Sequence, residues 1–193
     1  MAKNPADSLA SIPNLLSLSR LPLAAGLFAC IAYERWALGL AVFCVAAFTD
    51  WLDGWWARKF DLLSVVGRNL DPLTDKVLIG GTFIYLLPVE HVGLMPWMVT
   101  VVIGRELLIT GLRGIVEATG QKFGADWFGK LKTILQSAAI IGMLSLQSLR
   151  GYEDTHSVMA TLEMVQIVLL YAMLAATIGS GLQYLVKAER LLR

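Results

Sequence analysis

Charge is scarce in this chain. Aspartate, glutamate, lysine and arginine make up 16% of its 193 residues, and the mean hydropathy is +0.64. That excludes an ordinary soluble domain, in which each helix alternates apolar and polar faces and the polar face meets water. A formal net charge of +1 gives no basis for nucleic-acid binding. Cysteine and histidine are rarer still, at two each. Cys30 and Cys44 fall inside apolar stretches, where a small buried hydrophobe is expected rather than a disulfide or a redox centre. His91 and His156 fall in connecting segments and are not expected to take part in chemistry. There is no short-period repeat, no low-complexity tract and no linker long enough to separate domains, so residues 1–193 read as one domain.

Apolar sequence is what the chain has in abundance. Hydrophobic residues form 56% of it and gather into windows close to the roughly 20 residues that a bilayer-spanning helix requires. The pattern predicts helices over 12–32, 36–56, 72–89, 94–116, 131–149 and 158–185, separated by short polar or turn-rich pieces. The expected fold is therefore all-α, an integral membrane bundle of six transmembrane helices. With the N-terminus in the cytoplasm, only Arg35 and Arg150 of the 16 lysines and arginines fall on the far side, which puts both termini in the cytoplasm. The stretch from Leu15 to Cys30 has some features of a signal peptide. Its leading segment, however, carries Lys3 and Asp7, and further spans follow at once, so it reads as an uncleaved membrane helix. The expected location is the inner or plasma membrane, multi-pass. Trp36, Trp51, Trp55, Trp56, Trp97 and Trp127 lie mostly near predicted interfaces, where indoles anchor helices. Gly39, Gly80, Gly81, Gly104, Gly111 and Gly114 are expected to permit close helix packing.

Against this background four aspartates stand out. Asp50 and Asp53 are three residues apart near the end of the second window, and Asp71 and Asp75 are four apart at the start of the third. Each ionised group near hydrocarbon costs about 2.5–3.5 kcal/mol on insertion scales, so acids here call for a partner. At those spacings each pair shares one helix face, and the short connection between the windows predicts an antiparallel return that brings the pairs together. Four oxygen-bearing acids suit one or two divalent cations, magnesium or manganese rather than zinc, which prefers nitrogen and sulfur. Magnesium bound this way keeps positions open for phosphate oxygens. Gly54 and Ala57 remove bulk beside the acids, so a large phosphate-bearing group has room to approach. The plainer reading, solvated acids paired with Arg58, Lys59, Arg68 or Lys76, is reasonable for either pair alone and poor for the whole constellation.

Read in order, Asp50, Asp53-Gly54, Ala57-Arg58, Gly67, Asp71 and Asp75 resemble the signature of the CDP-alcohol phosphotransferases, with every specified position present. The family's six-helix membrane fold matches the windows above. The resemblance implies transfer of a phosphatidyl or similar group from a CDP-linked donor to an alcohol, with release of CMP. It implies that Asp50, Asp53 and Asp71 hold metal beneath the donor pyrophosphate. Asp75 would complete the metal shell and serve as the catalytic general base, with magnesium or manganese, two ions in all, as cofactor. Asn14, Asp50, Asp53, Gly54, Ala57, Arg58 and Gly67 are the implied contacts of the CDP donor. Asn14 and Arg20 are candidates for its head group, the alternative being a helix cap and a snorkelling cation. The family also suggests a homodimer.

Outer segments point to one branch. Ile12 to Leu16 with Arg20, Asp71-Pro72 with Asp75-Lys76, Gly104-Arg105-Glu106 with Arg113, and Gly129-Lys130 with Lys132-Thr133 and Gln136 resemble phosphatidylglycerophosphate synthases. Chemistry agrees with that branch. Arg105 and Arg113 lie about two helical turns apart and Lys130 and Lys132 begin the fifth window, so these four are the candidates to bind an acceptor phosphate. CDP-diacylglycerol and sn-glycerol 3-phosphate would then be the substrates, with the site facing the cytoplasm. The plainer alternative pairs Arg105 with Glu106 or an aspartate and makes the lysines interfacial anchors. Acceptors such as an inositol phosphate, or phosphatidylglycerol in cardiolipin formation, would leave the aspartate signature intact. A cation transporter is the reading outside the enzymes, and the ordered signature with acids on one side argues against it.

Overall fold

In a computed structural model the backbone is described for residues 12–59, 65–121, 127–150 and 156–192, and side chains within these except at 12–17, 50, 51, 53–59, 65–72, 156, 157 and 192. The described residues are all-helical, in six helices: α1 (Ile12–Ala32), α2 (Trp36–Lys59), α3 (Val65–Leu86), α4 (Pro96–Ala118), α5 (Trp127–Leu149) and α6 (His156–Leu192). Helices stand where apolar windows predict them, but five of them extend beyond those windows. The α3 helix starts seven residues before the Pro72 start expected from hydropathy, and α6 runs to Leu192 rather than Leu185. Hydropathy marks only the part of a helix that is apolar, and both extensions are rich in charged residues.

The chain divides into two compact units, Met1–Leu86 and Leu87–Arg193. In the first, α1 packs against both α2 and α3. The α1–α2 connection is a tight reversal. Arg35 N–H donates to Cys30 O at 2.7 Å and Glu34 N–H to Ile31 O at 3.0 Å, with Glu34 in the left-handed region at φ 55°. This is the helix-ending arrangement usually built on glycine. Arg20 meets Asp75, and further along both helices Phe28 stacks on Tyr85 with ring centroids 4.7 Å apart. Contacts advance in the same direction along α1 and α3, so these two run parallel and the hairpin partner α2 runs opposite to α1. A Cβ added at Gly81 would run into the Phe28 ring, which makes Gly81 a true close-packing position. Gly104, Gly111 and Gly114 correct the same expectation: nothing lies within 4 Å of a Cβ added at any of them among the described residues.

In the second unit α6 packs against α5 and α4. Gly129 faces Tyr184 and Gly142 faces Gln166, so α5 and α6 are antiparallel. Arg105 meets Ser180, while Ile109 and Val116 share a core cluster with Tyr184 and Ala188, so α4 and α6 are parallel. The loop between α3 and α4 is tied down within this unit. Gln147 Nε2 donates to Glu90 O at 2.6 Å, and Val92 is buried. Pro96 occupies the first turn of α4, where its missing N–H costs nothing.

The helices α1 to α5 are 21 to 24 residues long, or about 31–36 Å at 1.5 Å per residue, comparable with a bilayer's apolar thickness. Among the described residues one helix, Val158–Leu191, is both long and apolar enough to cross a membrane, while Leu18–Ala32 and Trp36–Thr49 are shorter apolar helices. Charged side chains within α4 and at the start of α5 interrupt the apolar composition of the others.

Candidate active site

The aspartate signature falls on two helix ends. Asp50, Asp53, Gly54, Ala57 and Arg58 lie in the last turns of α2, and Gly67, Asp71 and Asp75 lie in the first turns of α3. The side chains of Asp50, Asp53, Asp71, Ala57, Arg58 and Asn14, and the surroundings of Gly54 and Gly67, lie outside the described residues. The expected convergence of the two acid pairs lies there too. Among the described residues no three histidine, cysteine, aspartate or glutamate side chains group as a metal site. The donor set still fits a hard divalent cation, because every acid in the signature offers carboxylate oxygen alone.

Asp75 is described, and its partner comes from α1. Arg20 Nη1 donates to Asp75 Oδ1 at 3.0 Å and approaches Thr74 Oγ1 at 3.4 Å. Arg20 is fully buried, whereas the Asp75 side chain is 43% exposed. A cation at 0% exposure is not snorkelling, and it pairs with the last acid of the signature rather than standing open to a donor head group. The arrangement holds one carboxylate oxygen of Asp75 with a charge-assisted hydrogen bond. Burying a guanidinium is tolerable only with such a partner.

A second ionic cluster occupies the other unit, on three helices. From α4, Arg105 Nη1 donates to Glu106 Oε1 at 3.1 Å, and from α5 Lys132 Nζ donates to that same oxygen. From α6, Ser180 Oγ accepts from Arg105 Nη2 at 3.0 Å and donates to Thr177 O at 2.9 Å. The Tyr184 ring centroid lies 5.5 Å from the Arg105 guanidinium carbon, within cation–π range. Gly181 clears the way, since a Cβ there would stand 3.3 Å from Arg105 Cγ. The side chains of Arg105, Glu106 and Lys132 are 10%, 19% and 8% exposed. Two cations thus share one anion in a largely dry setting.

Of the four cations expected to serve an acceptor phosphate, the structure brings Arg105 and Lys132 together. Lys130, two residues from Lys132 and so on a different face of α5, is exposed. Arg113 is half-buried, and its Nε has no hydrogen-bond partner among the described residues. The Arg105–Glu106 pairing foreseen as the plainer alternative is present, but it includes Lys132 as well. Ser180 and Tyr184 are the members of the cluster that sequence reasoning misses. Their spacing of four on an apolar helix is the available signal, since it puts two hydrogen-bonding groups on one face.

Known proteins give this geometry a context. A protein from Bacillus subtilis strain 168 is 42% identical over 107 residues, an alignment covering 55% of this chain and 54% of that relative, so the match spans about half of its length. A protein from Haemophilus influenzae is 33% identical over 150 residues, covering 77% and 75% of the two chains. One from Shigella flexneri serotype 5b is 31% identical over 189 residues, covering 93% and 95%. Each of these relatives carries the name CDP-diacylglycerol–glycerol-3-phosphate 3-phosphatidyltransferase. The family model for CDP-alcohol phosphatidyltransferase matches residues 10–180, a span that takes in the aspartate signature of α2 and α3 together with the Arg105, Glu106, Lys132 and Ser180 cluster. With the signature complete and the match covering most of both units, the chain belongs to the CDP-alcohol phosphatidyltransferase family.

Proposed function

We propose that this protein is an integral-membrane enzyme that transfers the phosphatidyl group of CDP-diacylglycerol to sn-glycerol 3-phosphate, giving phosphatidylglycerophosphate and CMP. Its family membership and the names of its relatives support the reaction class. The observation that carries the acceptor is the cluster of Arg105, Lys132 and Glu106, in which two largely buried cations from different helices converge and Arg105 Nε has no hydrogen-bond partner among the described residues. Converging cations in a dry site suit a phosphate monoester, which unphosphorylated inositol or serine does not offer. Arg113 adds a further guanidinium for the same phosphate. Exposed Lys130 contributes to the local field.

In this reading Asp50, Asp53, Asp71 and Asp75 hold the magnesium or manganese ions. Bound there, the metal neutralises pyrophosphate charge and polarises the phosphoryl group. Asn14, Gly54, Ala57, Arg58 and Gly67 line the CDP donor. The chain's own contribution to the chemical step is Asp75, whose carboxylate takes the proton of the acceptor hydroxyl. That oxygen then forms a bond to the lipid-side phosphorus, the bond from this phosphorus to the bridging oxygen breaks, and CMP departs with the electron pair. Arg20 holds Asp75 Oδ1 throughout, so the carboxylate meets the hydroxyl in one orientation.

The membrane aspect of the proposal rests on where apolar surface lies. Only 22% of the most apolar 18-residue window of α6 is buried, whereas the core helix of a soluble protein would be mostly covered. Large apolar side chains are also exposed on the other helices, among them Leu38 and Phe48 on α2, Leu107 on α4 and Ile134 on α5. Surface of that kind calls for lipid or a partner. Six spans in the inner or plasma membrane, termini and active site on the cytoplasmic side, follow from the distribution of lysine and arginine. A homodimer follows from the family resemblance, and crosslinking in native membranes tests it.

Purified protein supplied with CDP-diacylglycerol and magnesium should release CMP when sn-glycerol 3-phosphate is present and not when it is absent. Turnover with an inositol phosphate or with phosphatidylglycerol, and none with glycerol 3-phosphate, overturns the acceptor. Metal-dependent cation flux in vesicles without CMP release overturns the reaction itself.

A further inference from the structure

Glu106 sits where an acid is least expected, within the group of cations assigned above to the acceptor phosphate. We propose that Glu106 is the positioning residue of that site, presetting Arg105 and Lys132 to receive a phosphate monoester dianion. The inference rests on the acceptor reading of the preceding subsection and deepens it.

Three observations carry it. First, Arg105 and Lys132 come from different helices, α4 and α5, and both donate to the same oxygen, Glu106 Oε1. A carboxylate serving only as a counterion for one neighbour would not draw in the second. Without it, two largely buried cations would repel each other and lose their charge-assisted bonds, and the flexible lysine stem would turn away. Second, the rest of Arg105 is already immobilised by Ser180, the Tyr184 ring and the gap at Gly181. Glu106 links that fixed position to Lys132 on α5. Third, Arg105 Nε is buried without a hydrogen-bond partner among the described residues. A buried donor left unmade is costly, and a phosphate oxygen is a partner that would satisfy it. Glu106 therefore organises the cations while leaving a guanidinium donor for a ligand.

The experiment compares Glu106→Gln and Glu106→Asp with the wild type by steady-state CMP release, varying donor and acceptor separately. Glu106→Gln should raise the KM for sn-glycerol 3-phosphate at least tenfold, with a much smaller change in kcat and a donor KM within twofold. Glu106→Asp, which keeps the charge on a shorter stem, should recover some of the loss. Unchanged acceptor KM overturns the proposal, and a lowered one overturns it by showing that Glu106 competes with the phosphate. A parallel rise in both KM values, with a lower unfolding temperature in detergent, assigns Glu106 a structural role only and also overturns it. Inorganic phosphate binding to the same proteins, measured by calorimetry, separates this inference from the parent reading. If no acceptor supports CMP release, the proposed function fails. Phosphate binding that weakens at least tenfold in Glu106→Gln still supports the positioning role, and equal binding in both proteins overturns it.

Discussion

The two units each bury a charge against its opposite, and they do so with reversed signs. In the first unit Arg20 is a buried cation beside the last acid of an aspartate series, while in the second, among the described residues, Glu106 is an acid between two cations. The partners differ. Arg20 donates to one described acid, Asp75, and also approaches Thr74 Oγ1. Among the described residues Glu106 accepts from both Arg105 and Lys132. In the reading proposed above, the first unit serves divalent cations and the second a phosphate, and in each a charge of one sign holds its described neighbours in place.

Removing the charge of Asp75, the proposed general base, should break this comparison most severely. Asp75→Asn is expected to lower kcat by about 10²–10⁴-fold, the range for loss of a positioned general base, while donor binding is largely kept. Asp50→Asn should instead raise the metal concentration needed for activity. If both variants lose metal activation equally, Asp75 has no separate role. Chelation with EDTA should abolish CMP release, and added magnesium or manganese should restore it; activity that survives chelation removes metal from the first unit.

Effects on acceptor binding come next. Lys132→Met removes a buried cation from the Glu106 cluster and should raise the acceptor KM by roughly tenfold or more, since breaking a hydrogen-bonded buried charge pair costs several kcal/mol. Exposed Lys130→Met should change it by about twofold at most, in keeping with the small worth of surface charges. Equal effects at the two lysines would mean that burial in the cluster is not what matters. Smaller still in catalysis, but measurable in stability, is Gly81→Ala. Its Cβ would displace the Phe28 ring from its stack on Tyr85, at a cost of about 1–3 kcal/mol for overpacking. An unchanged unfolding temperature in detergent would show that the first unit is looser there than its contacts indicate.

The ends of α2 and α3 were legible because their chemistry is local. Asp50, Asp53, Asp71 and Asp75 declare themselves by spacing, and a helix converts spacing into a shared face without help from distant residues. The helix count was legible for the same reason, since an apolar run of spanning length has few alternatives. The start of α3 was less so. Arg68, Asp71 and Lys76 lower its hydropathy without breaking its backbone hydrogen bonds, and a hydropathy window cannot tell a polar helix end from a loop.

Long-range pairing was not legible at all. Nothing near Arg20 in sequence indicates that it will bond to Asp75, 55 positions away, and nothing near Ser180 points to Arg105, 75 positions away. Arg105, Arg113, Lys130 and Lys132 look equivalent as a set of cations, yet burial separates Lys132 from Lys130. The sequence by itself determined the helical class, the aspartate signature and the family, because each depends on residue type at short, fixed intervals. Only the tertiary structure decided which charges are partners. Burial makes an unpaired charge costly, and whether a group is buried depends on helices that meet far apart along the chain.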